Sequence, residues 1–350
     1  MFACPPPVPR MTSSDPVPTV SSLPELAAWA RDPTAAATFG ALSDRPWLLV
    51  DTREVDAVVD PVCAWLHALP CSVIGVGPTN TSRLAQACDA VVTDLTAATP
   101  LLRTIAKAPL AATVLVQVLR AVESLPTERA LLVESLAYAT LQGGPEFAHW
   151  RATYVPGPAP SEAGPAVLVS RDEEPVRLLL TLNRPARRNA MTVEMRDALI
   201  EALQLALLDR SIASIRIDAR GRCFSTGGDL DEFGSAPDPA SAHVVRHLAL
   251  PGRWLAACAD RCVVRVHGAC IGSGIEFPAF ASRIEATPDA WFQLPELRYG
   301  LIPGAGGCVS ISRRIGRQRT AWMVLSGARI DARTALDWGL VDAISETRTT

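Results

Sequence analysis

Lysine is almost missing: Lys107 is the only one among 350 residues, and every other cationic side chain of the Lys/Arg class is arginine. The formal net charge is −3, and no block of like basic residues occurs. That pattern excludes the basic face expected of a nucleic-acid binder. No apolar run is long enough for a membrane-spanning helix. The opening MFACPPPVPRMTSSDP has three consecutive prolines and no apolar h-region, so it does not read as a signal peptide. The expected setting is a soluble, cytoplasmic protein. Aromatics make up only 5% of the chain. The nine cysteines, at 4, 63, 71, 88, 223, 258, 262, 270 and 308, include no CxxC pair. An odd, scattered set reads as small core thiols in a reducing compartment, not as a disulfide or zinc framework. His243 and His247 stand four apart on an expected helix but lack further ligands, so no metal site is expected.

What is present is apolar residue, 49% of the total. That suffices for one large core, or a core domain plus a smaller one. Residues 1–20 are rich in Pro, Ser and Thr and read as a disordered tail. Residues 21–153 form an N-terminal α/β and helical domain. Its expected strands are Trp47–Asp51, Cys71–Gly75 and Ala90–Thr93, with helical patterns over 22–40 and 56–68. From Pro100 to about Ala152 the apolar spacing becomes that of long amphipathic helices, divided at Pro109 and stopped at Gly143-Gly144-Pro145. Residues 154–165 read as a linker. From 166 to 350 strand and helix patterns alternate: Val176–Asn183, a helix from Thr192 as N-cap to Leu208, Ala213–Asp218, a helix over Ala240–Ala259, and Cys262–His267.

Chemistry concentrates in three segments of the second half. Phe224-Ser-Thr-Gly-Gly-Asp229 follows a strand, and its glycine pair lets backbone N–H groups approach a ligand. His267-Gly-Ala-Cys-Ile-Gly-Ser-Gly-Ile-Glu276 follows another strand and opens a helix, whose first N–H groups are free and partly positive. Two such amides from two loops make an oxyanion hole. Glu276, and Glu296 within Phe292-Gln-Leu-Pro-Glu296, then read as a pair that handles one water, one taking its proton and the other protonating carbon. Each segment also has an ordinary reading, as a tight turn, a helix-dipole partner or a surface turn; the combination is what points to catalysis. Trp254, Trp291, Phe292 and Phe233 are candidates to line a substrate pocket, and equally ordinary as aromatics of a large core.

Taken with Leu182-Asn-Arg-Pro-Ala-Arg-Arg-Asn-Ala190, Gly300-Leu-Ile-Pro-Gly-Ala-Gly-Gly307 and Ala335-Leu-Asp-Trp-Gly-Leu-Val-Asp342, these segments make residues 172–342 resemble the crotonase superfamily, the enoyl-CoA hydratase/isomerases. The resemblance implies an α/β fold, with a crotonase-like ββα spiral core preceded by the N-terminal α/β-plus-helical extension. It implies oxyanion amides at Gly228 and Ser273 and catalytic glutamates at Glu276 and Glu296. It places coenzyme A contacts at Arg188, Asn189, Ala190, Gly227 and Asp229. The implied reaction is addition of water to a 2-enoyl-CoA, or its reverse, with no cofactor beyond the coenzyme A of the substrate. A double-bond isomerase or dehydratase, or a non-catalytic acyl-CoA-binding subunit, are the alternatives. A homo-oligomer, trimer or hexamer, is implied, with no nucleic-acid or membrane partner.

The sequence departs from that pattern at Ser273, Pro278 and Ala281-Ser282. A larger departure is one of order. The family continues past Gly-Leu-Val-Asp with helices that cap the site, whereas here residues 100–152 have that character. They are expected to be the family's tail, displaced to the front of the chain in a permuted or degenerate-duplicated arrangement; an unrelated α/β extension is the alternative.

Overall fold

The computed structural model describes residues 18–53, 59–77, 82–157, 160, 162–173 and 176–345. Four parallel strands, β1 (Val20–Ser21), β2 (Trp47–Asp51), β3 (Ser72–Val76) and β4 (Ala90–Val92), pair in chain order. Alternation along them explains why they are apolar throughout. Leu48, Val50 and Val73 point into one core with the helices α1 (Leu23–Arg31) and α2 (Asp60–Ala68), while Leu49 and Ile74 point into the other. A parallel sheet covered on both faces has no polar face to show. The tail expected over 1–20 is thus shorter, because Val20 and Ser21 pair with Leu49 and Val50. Its first 17 residues lie outside the described set, as do 54–58 at the start of the expected second helix, which is helical from Asp60.

After α3 (Arg83–Ala87) and β4 come α4 (Leu95–Lys107), α5 (Pro109–Val122), α6 (Thr127–Gln142) and α7 (Pro145–Thr153). Pro109 separates α4 from α5, which meet at 111°. Pro100 does not start the helical region, as its position suggested, but lies inside α4. Among the described residues no single helix is long and apolar enough to cross a membrane.

The second half holds two sheets. The hairpin β5 (Val167–Glu173) and β6 (Val176–Leu182) is antiparallel; β7 (Ser214–Ala219), β8 (Cys262–Val266), β10 (Arg283–Ala286) and β13 (Ala343–Ile344) extend it in parallel, in the order β13-β10-β8-β7-β6-β5. A smaller sheet joins β9 (Ala269–Ile271), β11 (Trp291–Gln293) and β12 (Ile330–Asp331). The chain passes from β8 to β9 through Gly268, at φ +56°, where any Cβ would collide with the Arg222 carbonyl. The helix α8 (Val193–Leu208) starts where Thr192 Oγ1 accepts from the Met195 amide, as its N-cap character predicted. The single helix expected over 240–259 is two, α9 (Pro239–Leu248) and α10 (Pro251–Ala257). Pro251 has no N–H to continue the first, so it begins the second.

Three short helices complete the site region: α11 (Ser273–Glu276), α12 (Gly307–Ile315) and α13 (Arg317–Ser326); α14 (Ala332–Trp338) precedes β13. One hydrophobic cluster runs from Leu49 through the residues of α4–α6 to Val341, so the helices of the extension and the second half share a core. The linker stretch is fastened: Gly164 and Pro165 carbonyls accept from Arg184, and the Glu162 carboxylate accepts from the Ala186 and Arg187 amides.

Candidate active site

Three loops run side by side. The Ser225 amide donates to Ala269 and the Ile271 amide to Ser225, so the 224–229 loop lies along β9. On its other side the Met191 amide donates to Gly227 and the Asp229 amide to Met191. These bonds occupy the neighbours of Gly228 but not its own N–H. Ser273 opens α11, where a first-turn amide has no intrahelical partner. Among the described residues neither the Gly228 nor the Ser273 amide donates a hydrogen bond.

Close approach of the two loops depends on glycine. Gly227 has φ +89°, and a Cβ there would stand 2.6 Å from the Ile271 carbonyl oxygen and 3.7 Å from the Gly272 Cα. Gly272, at φ +51°, faces the glutamates. A Cβ on it would lie 2.9 Å from Oε1 of Glu296 and 3.7 Å from Oε1 of Glu276. One oxygen of each carboxylate therefore looks into the same small space above Gly272.

The two glutamates reach that space with different partners. Glu276, the last residue of α11, accepts at Oε2 from the Ala305 amide at 2.7 Å and the Gly307 amide at 3.0 Å. Glu296 follows Pro295 in a 3-10 turn, and its Oε2 is buried without a partner. Both side chains are buried. Burial raises the Glu276 carboxyl to about 7 against the pull of its amide donors. Burial, and next the Glu276 charge, drive Glu296 well above the carboxylate range.

A third carboxylate belongs to this cluster and was not anticipated. Glu134, on α6, is 1% exposed and accepts from the Gly306 amide at 2.7 Å and the Cys308 amide at 2.8 Å. Burial, then the Glu276 charge, raise it to about 8. A sequence signal existed. Ala130, Glu134 and Tyr138 are four apart on the buried stripe of α6, and a carboxylate in the middle of such a stripe needs buried donors. Tyr138 covers Gly304, with the Arg246 guanidinium 4.1 Å above its ring.

Aromatic side chains close the site from the extension. Trp150 on α7 meets Phe233 and Tyr299 at ring-centroid distances of 6.1 and 5.1 Å. The Tyr154 hydroxyl donates to Asp231. The Phe233 ring lies where a Gly228 Cβ would be. Of the four aromatics considered for an acyl pocket, Phe233 is the one in this position. Phe292 is fully buried in the core and Trp291 packs under Arg329.

The residues expected to contact coenzyme A divide. Arg188 is exposed, at φ +55°, and among the described residues no carboxylate pairs with it. Ala190 is half-buried beside it. Asn189 is fully buried: its Oδ1 accepts from the Arg184 amide and its Nδ2 donates to the Arg220 and Cys223 carbonyls. Asp229 is paired with Arg187 at 2.6 Å and accepts from the Asp231 amide. Those two side chains are spent on shaping the loop and offer a ligand little. The expected histidines also have an internal use, since His243 Nδ1 lies 2.9 Å from Ser135 Oγ and its ring stacks on His247. Among the described residues no cluster fits a metal ion.

Residues 175–349 match the enoyl-CoA hydratase/isomerase family, half of the chain. The chain belongs to that family. It is 36% identical over 180 residues to the 2,3-dehydroadipyl-CoA hydratase of Escherichia coli (strain K12), covering 51% of this chain and 68% of that protein. It is 32% identical over 175 residues to the mitochondrial enoyl-CoA hydratase of Pongo abelii, covering 49% of this chain and 58% of that protein. The crystal structure of enoyl-CoA hydratase from Thermoplasma volcanium GSS1 is similar at 29% identity and a TM-score of 0.47, over 53% of this chain and 73% of that one. The family match takes in both loops and both glutamates, Glu276 and Glu296; Glu134, Tyr138 and Trp150 lie outside it.

Proposed function

We propose that the protein is an enoyl-CoA hydratase-type lyase, adding water to a 2-enoyl-CoA or removing it. The observation that carries this is the pair of carboxylate oxygens directed above Gly272, beside two uncommitted amides. The thioester oxygen takes the Gly228 and Ser273 N–H groups. As the enolate forms, each donor is worth about 3–4 kcal/mol in the transition state. Glu276 is the base: two amide donors favour its ionised form. Glu296 is the acid, because a buried carboxyl with an unpartnered oxygen keeps its proton. Glu276 removes a proton from water, the oxygen adds to the β carbon, and Glu296 protonates the α carbon.

Coenzyme A is bound as part of the substrate, with Arg188 the exposed cation at the loop expected to meet it. The helices α4–α7 cover the site, the role that the resemblance gives to the family's tail helices. Support comes from their contacts with the 228–234 loop. A homo-oligomer remains part of this reading.

The test is loss of the enoyl-thioester absorbance with purified protein and a panel of 2-enoyl-CoA substrates. Glu276→Gln and Glu296→Gln should each lower kcat on the order of a hundredfold or more. Full hydratase activity in either variant rejects the assignment. Substrate consumption without incorporation of oxygen from labelled water assigns the site to an isomerase instead.

A further inference from the structure

Four consecutive amides at the start of α12 are divided between two buried carboxylates. Ala305 and Gly307 donate to Glu276, while Gly306 and Cys308 donate to Glu134. The division alternates strictly, so the 305–308 turn is held from both sides. Glu276 grips it from the catalytic core, and Glu134 grips it from a helix outside the family match.

That arrangement has a mechanical consequence. Only Oε2 of Glu276 is tied to the turn, and Oε1 is left to face the space above Gly272. The direction of Oε1 is therefore set by where the turn sits. Among the described residues nothing else holds the Gly306 and Cys308 amides, and a buried N–H left without an acceptor is destabilising. The groups around Glu134 fit an anchor, since each of its oxygens accepts from one amide of the turn. Tyr138 lies one helical turn along on the same face of α6, with the Arg246 guanidinium above its ring. Cys308 sits beneath Glu134, and Glu276 lies across the turn.

We propose that Glu134 is a positioning residue of the reaction: it fixes the 305–308 turn and through it aims the free oxygen of Glu276. This rests on the reading of Glu276 as the base. By this account the extension supplies a working part of the site as well as its cover.

Glu134→Gln keeps the shape of the side chain, but its amide nitrogen would face one of the two N–H groups as a second donor. The variant should lower kcat about tenfold to a hundredfold, the scale set by misplacing a catalytic group, with KM changed less than about threefold on that same account. In a Glu276→Gln background the same substitution should lower kcat no further, since it acts through Glu276. Wild-type kcat in folded Glu134→Gln, or a loss that multiplies with that of Glu276→Gln, overturns the proposal.

Hydrogen exchange of the 305–308 amides tests the clamp without turnover. Faster exchange at all four in Glu134→Gln is expected, whereas unchanged exchange at Ala305 and Gly307 overturns it. If Glu134→Gln does not fold, Glu134→Asp, which keeps both acceptors on a shorter stem, is read the same way. Wild-type protein inactive on every enoyl-CoA would sink the hydratase reading, while the exchange result would still decide the clamp.

Discussion

Gly272 shows how narrow the tolerances are at the site. It combines a positive φ of +51° with a Cβ position that faces one oxygen of each glutamate. Gly272→Ala should lower kcat strongly, because its methyl would press on Glu296 and occupy the space proposed for water. A kcat–KM comparison on one enoyl-CoA checks this; wild-type kcat would rule it out. The carboxylates also set a pH dependence of stability. Glu134, Glu276 and Glu296 all have folded-state values above the ordinary 4.5. A carboxyl raised on folding contributes stability that is fully present below the unfolded value and is lost as pH rises through the folded one. The melting temperature should therefore fall between about pH 5 and pH 9, because folding then has to hold charge in a buried cluster. Glu296→Gln should flatten that fall in a calorimetric pH series.

At the scale of elements, α7 joins the cover to the loops of the candidate site. Phe147 is buried, with its ring against Gly234, and the Glu146–Phe147 backbone lies close under Gly300. Glu146 anchors the helix, accepting from the Leu110 and Ala111 amides at the start of α5. Phe147→Ala should cost about 3–5 kcal/mol, measurable by denaturant titration, and should loosen the Phe233 loop. Some elements were legible from local pattern. Two expected strands lie at β2 and β3, because runs such as Trp47-Leu-Leu-Val need both faces buried. Thr192 capped the expected helix, since capping is decided within three residues. Others were not. β1 is two residues long and exists because β2 offers it an edge. The break between α9 and α10 follows one proline inside an apolar pattern that reads as continuous.

For the whole molecule, the first sheet is tied to the second half by a buried ion cluster. Asp89 pairs with Arg120 at 2.5 Å and with Arg317 at 3.1 Å, and also accepts from the Val73 amide. Arg317 further donates to the Gln86 and Cys88 carbonyls, so the start of α13 is bound to the C-terminal end of α3, just before β4. Removing one member of such a cluster leaves buried charge uncompensated. Asp89→Ala should cost about 3–5 kcal/mol. Because the core is shared, unfolding should stay a single transition, and a calorimetric trace that separates the two halves would contradict this.

The glutamate pair proposed for catalysis, the glycine-rich loops and the family itself were legible in the sequence alone. Their chemistry is written in short segments, with glycines where backbone must approach a ligand and carboxylates at loop ends. Only the tertiary structure decided which other residues join them. Glu134 meets its amide partners across 172 and 174 residues of chain, and Asn189 spends its side chain on carbonyls 31 and 34 residues away. Local pattern carries no record of such pairs. A buried polar group must find its partners wherever packing puts them, and packing is a property of the whole fold.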